Sequence, residues 1–76
     1  MDEFTRIRIL RLIGSFKKSH GRDINEAELK AGGVSPADLD HLVRDGLLDK
    51  YQVTAGAGNV ENRYKVHRDW RELKPT

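Results

Sequence analysis

The sequence predicts an α+β fold, a body of three helices followed by a two-stranded hairpin. Three observations predict it. Apolar residues recur at helical spacing as far as Val43, and from Leu48 onward the alternation changes to a period of two. Between these runs, Asn25 and Ser35 stand as helix caps while Gly21, Gly32–Gly33 and Gly46 stand as stops. At 76 residues the chain is one domain, 1–76, with the hairpin at about 48–67 and a C-terminal extension at 68–76.

The first helix is read from "DEFTRIRILRLIGSFKKSHGR". Asp2 and Glu3 suit its start, Lys17, Lys18 and His20 its end. Ile9, Leu12, Ile13 and Phe16 fall in one arc about 100° wide and are expected to face the core. Phe4 and Ile7 lie on nearly the opposite side, near Arg8 and Arg11. Three covers are open to them: the C-terminal segment, a second subunit, or nothing. Trp70 laid over Phe4 and Ile7 is the simplest arrangement, which makes these three residues the candidate interface.

The second helix, in "DINEAELKAGGVS", starts at Asn25 with Glu28 completing a capping-box pattern, and Ile24 before it reads as an inward-facing short strand. The third begins at Ser35 with Pro36 at its first position. Asp38 is placed to return a hydrogen bond to the cap. Leu39, Leu42 and Val43 form its buried stripe, and Gly46 ends it with Leu47 folding back. In the hairpin, pairing Ala55 with Val60 across "AGAGN" sets Tyr51 opposite Tyr64. It also gathers Lys50, Lys65, Gln52, Arg63, Thr54 and Glu61 on one mostly basic outer face.

Charge is unevenly spread. Residues 1–22 carry six basic and two acidic side chains, residues 23–49 two basic and seven acidic, and residues 50–76 six basic and three acidic. A polyanion is therefore drawn to the flanks and not to the middle. There is no cysteine, so neither a disulfide nor a cysteine zinc site adds stability, and the redox compartment stays open. No apolar run approaches the roughly 18 residues of a membrane span, and the N-terminus does not fit a secretory signal. A cytoplasmic protein is expected, with no membrane partner.

Catalysis finds no support. His20, His41 and His67 lack metal-ligand spacing, the serines lack an evident base and orienting acid, and Asp38 and Asp40 point in different directions on one helix. The glycines of "AGAGN" precede a strand, whereas a phosphate cradle precedes a helix. No enzyme activity, metal or cofactor is expected.

The stretch "SPADLDHLVRDGLLDKYQVT…ENRYKV" contains a capped helix, "LVRDGLL" tightening into a strand, a glycine-rich tip and a strand returning through "YKV". With the helices before it, this resembles the winged helix-turn-helix superfamily of DNA-binding domains. The resemblance spans roughly Asp2 to His67. It implies a small winged helix that binds duplex DNA as a transcriptional regulator. The helix at 35–45 would enter the major groove and Gly56–Asn59 would form the wing tip. The base-contact candidates are Ala37, Asp40, His41 and Arg44. Phosphate contacts would come from Arg6, Arg8, Arg11, Lys30, Lys50, Arg63, Lys65 and Arg68. The tip lacks the Arg or Lys common in that family. A domain this small calls for a homodimer or a protein partner to gain specificity. The alternative is a winged-helix protein-interaction module, whose acidic middle segment binds a basic partner or mimics DNA.

Overall fold

A computed structural model of the chain describes residues 2–67. Helix α1 (Glu3–His20) opens where the Asp2 carboxylate accepts the Thr5 amide at 2.7 Å, and closes where the Gly21 amide donates to the Lys17 carbonyl. That amide holds the Asp2 carboxyl below its ordinary range. The buried side is Ile9, Leu10 and Ile13. The core arc is thus turned toward Leu10 relative to the expected stripe, and Leu12 and Phe16 sit only half-buried at its margin. The cause is local. The Arg22 guanidinium lies 4.9 Å from the Phe16 ring centre and the His20 ring stacks on Phe16 at 4.0 Å, so Phe16 is shielded by its own neighbours.

Strand β1 (Ile24–Asn25) leads directly into α2 (Glu26–Ala31). Asn25 Oδ1 accepts the Glu28 amide at 2.8 Å and the Glu28 carboxylate accepts the Asn25 amide at 3.1 Å, forming the capping box that the sequence announces. Helix α3 (Pro36–Arg44) starts on the Ser35 hydroxyl, which accepts the Asp38 amide at 3.2 Å. Among the described residues no bond returns from the Asp38 side chain to the cap. Aspartate is one methylene shorter than the glutamate that does so at α2, and its role at α3 is confined to the helix dipole.

Both α2 and α3 end in the same device. The Gly33 and Val34 amides donate back to Lys30 and Leu29. The Gly46 and Leu47 amides donate back to Val43 and Leu42. Each turn needs a left-handed residue, supplied by Gly33 at φ 85° and Gly46 at φ 79°. Each also buries the following side chain, Val34 against Leu29 and Leu47 against Leu42, inside one core.

Strands β2 (Leu48–Ala55) and β3 (Asn59–Val66) form the hairpin, and β1 pairs with the other edge of β3. The result is an α+β domain with three helices and a three-stranded antiparallel sheet in the order β1-β3-β2. The register differs from the expected one by a residue: Ala55 faces Asn59, Lys50 faces Tyr64 and Tyr51 faces Arg63. The loop is Gly56–Ala57–Gly58, one residue tighter than expected, and a one-residue slip moves every side chain of one strand to the other face. The face toward the helices carries Leu48, Tyr64 and Ile24, each no more than 2% exposed. Arg63 and Lys65 therefore lie on the opposite face from Lys50. The single basic outer face expected of Lys50, Arg63 and Lys65 does not exist.

Candidate nucleic-acid interface

The α3 cap aims the helix so that Leu39 and Leu42 are buried and Val43 half-buried, leaving Ala37, Asp40, His41 and Arg44 exposed together on its outer side. His41 Nε2 lies 3.3 Å from Asp45 Oδ2, one helical turn on. Arg44 has no ion pair among the described residues, so its fork of donors points to solvent unengaged.

The hairpin adds one cation to this side. Lys50 stands opposite Tyr64 on the helix-facing side of the sheet, followed at the same parity by exposed Gln52 and Thr54. Burial pushes the Tyr64 hydroxyl up, and the charges of Glu26 and Asp40 push it further. Asp40 of α3, Glu26 of α2 and Lys50 of β2 thus converge around one tyrosine. Asn62 Nδ2 donates to Glu26 Oε2 at 3.0 Å, tying β3 to the start of α2. Lys30 borders a groove of about 330 Å³ between α2 and β3, beside Ala27, Val60 and Asn62.

The other expected phosphate contacts are dispersed. Arg6 is partly buried and lies 3.6 Å from Glu3. Arg63 is held by Glu61 at 2.7 Å on the far face of the sheet, which Lys65 shares. Arg8 and Arg11 are exposed on α1 beside Phe4 and Ile7. Arg68 and Trp70 lie outside the described residues, as does the expected Trp70 lid.

Two clusters escaped the sequence reading. Arg22 grips Glu28 with both ends of its guanidinium, Nη1 to Oε1 and Nη2 to Oε2, each at 2.8 Å. This fork holds the Glu28 carboxyl at about 2, well below its ordinary 4.5. Asp23 is 7% exposed. One of its oxygens accepts the Tyr51 hydroxyl and the other lies 3.3 Å from Lys17 Nζ. The bond to Asp23 raises the Tyr51 pKa, with burial adding to it. Both clusters tie acids of the middle segment to bases of α1 or the turn after it. Two of the seven acids at 23–49 are therefore spent inside the fold. The Asp23 cluster left no sequence signal because Tyr51 and Asp23 lie 28 residues apart and meet only in the folded chain, whereas Arg22 and Glu28 are brought together by the short strand and cap between them.

Among the described residues no group of three side chains is arranged to hold a metal ion, and no helix is long and apolar enough to cross a membrane. Comparison with family models, curated proteins and solved structures returns no match.

Proposed function

We propose that the chain is a winged-helix protein that binds duplex DNA, with α3 as the reading helix and β2–β3 as the wing. The reading is supported by the element order α1-β1-α2-α3-β2-β3 and by the tight Gly32–Ser35 connection, which sets α3 directly after α2. The observation that carries it is the outer side of α3. A capped helix presents Ala37, His41 and an unengaged Arg44 on one exposed face, beside Lys50 from the hairpin. Arg44 suits guanine, Ala37 a thymine methyl, and Asp40 a cytosine amino group. Lys50 and Lys30 supply phosphate contacts at the edges of that face.

The register makes this reading specific. Arg44→Ala and Lys50→Ala weaken binding to duplex DNA, and Lys65→Ala, on the far face of the sheet, leaves it unchanged. Anisotropy titration of one labelled duplex with the three variants checks this, and an effect of Lys65→Ala equal to that of Lys50→Ala contradicts it.

A second reading, a protein-interaction module for a basic partner, has one observation in its favour. Asp38 and Asp40 have no basic partner among the described residues, so α3 offers two uncommitted carboxylates. Under that reading Asp40→Lys abolishes capture of a basic protein such as a histone, whereas under the DNA reading it relaxes base preference and leaves non-specific duplex binding in place.

A further inference from the structure

Strand β2 stands at an edge of the sheet. The order β1-β3-β2 gives it one neighbour, and its eight residues pair with β3 in an unbroken antiparallel ladder, from Leu48 with Val66 to Ala55 with Asn59. Along such a ladder, residues that bond to their opposite number alternate with residues whose amides and carbonyls point away. The His67 amide donates to the carbonyl of Leu47, next in the same register, which fixes the phase of the alternation. Asp49, Tyr51 and Val53 therefore bond to β3, while Leu48, Lys50, Gln52 and Thr54 turn their backbone groups outward. Among the described residues none of those outward groups has a partner. Edges of this kind are ordinarily blunted by proline, a bulge, charge or a covering element. Residues 48–54 contain no proline and no bulge, and only Asp49 and Lys50 are charged.

We propose that this edge pairs with the same edge of a second copy, antiparallel about a two-fold axis at Tyr51, so that two three-stranded sheets become one. The side chains select that register. Centred on Tyr51, Leu48 meets the partner's Thr54 and Lys50 meets the partner's Gln52, so all four outward residues on each copy exchange bonds. On the other face Asp49 meets the partner's Val53, and no like charges stand opposite one another. Centring on Lys50 would set two lysines face to face. Centring on Gln52 would carry Leu48 past the end of the strand to the Gly56 loop and leave its groups unmet.

Symmetry favours a second copy over an unrelated strand. It brings an edge of equal length with the same unmet groups, so each side satisfies the other. The pairing also closes at two copies. At the opposite edge of the sheet, β1 is two residues long and runs directly into α2, which leaves no ladder there for a further strand to extend. An axis perpendicular to the sheet keeps both α3 helices, each packed on its own β2, on one side of the joined sheet. The pairing does not depend on what α3 contacts. It is tested without nucleic acid, so its failure and that of the DNA reading are separable.

The experiment is sedimentation equilibrium of the full chain from micromolar to millimolar concentration, with amide hydrogen exchange followed over the same range. The expected result is a monomer–dimer equilibrium with no larger species. The amides of Lys50, Gln52 and Thr54 slow as the dimer fills, while those of Asp49, Tyr51 and Val53 are slow throughout. Gln52→Glu sets a carboxylate opposite the partner's Lys50 twice per dimer and tightens association about fivefold, and Gln52→Lys weakens it by a similar factor. Gln52→Pro removes an amide that makes no bond within the chain, so it abolishes the dimer with the circular dichroism retained. The two charged variants carry the test if proline disturbs the strand. Four results overturn the proposal. They are a chain that stays monomeric, a dimer indifferent to the Gln52 substitutions, assembly beyond two copies, and outward amides protected at every concentration, which reports a cover from within the chain.

Discussion

The Arg22–Glu28 fork does two jobs with one carboxylate, because the same Glu28 also closes the α2 capping box. Its lowered pKa has a definite consequence for acid stability. A carboxyl depressed on folding stabilises the folded chain above its unfolded value of 4.5, and that stabilisation drains away as pH falls toward about 2. Glu28→Gln should cost about 1 kcal/mol at neutral pH, discounted for the half-exposed guanidinium, and almost nothing at pH near 2. Urea unfolding of both proteins at the two pH values checks it, and a difference that persists in acid contradicts it. Asp23 makes the opposite kind of site, a buried carboxylate that needs its donors. Tyr51→Phe removes one of them and should destabilise by about 1–3 kcal/mol in the same assay. Both tyrosines described here also have raised pKa values, so their phenolate absorbance should develop above pH 10 and not at it.

What was legible in the sequence at the level of elements was whatever depends on near neighbours. The Asn25 and Ser35 caps, the Gly33 and Gly46 stops and the brief strand at Ile24 are decided within a few residues, and each stands where the residue pattern puts it. The hairpin was legible as a hairpin but not in its register. "AGAGN" allows a three-residue or a four-residue loop, and nothing local separates the two. The packing decides: only the shorter loop places Leu48, Tyr64 and Val66 together on the side of the helices. The same limit applies to α1, where Leu10 and Leu12 are equally apolar and only docking selects Leu10 for the core. Cross-linking tests the register directly. Gln52→Cys with Asn62→Cys, which face each other in the ladder, should oxidise readily to a disulfide. Gln52→Cys with Arg63→Cys, on opposite faces, should not, and the reverse outcome would restore the looser loop. Gly46→Ala forces a side chain into a left-handed turn and should cost about 1–2 kcal/mol in chemical unfolding.

At the scale of the molecule, the opposing charge blocks of the sequence turn out to be partly stitched together. Lys17 and Arg22 neutralise Asp23 and Glu28 within the fold, and the remaining acids gather on and around α3. On the proposed DNA reading such a surface discriminates better than it grips, since Arg44 is committed to a base and only Lys50 and Lys30 are left to meet phosphate on that side. Arg63 and Lys65 lie on the far face of the sheet with Glu61 and Asp49 and cannot add to the grip. Binding should therefore be modest and strongly dependent on ionic strength. The most direct measurement is a titration of labelled duplex DNA with the full chain at two salt concentrations. With two phosphates neutralised, affinity should fall about tenfold for a fourfold rise in salt. Failure to bind either random or genomic duplexes at the lower salt would contradict the proposal that α3 is a DNA-reading helix.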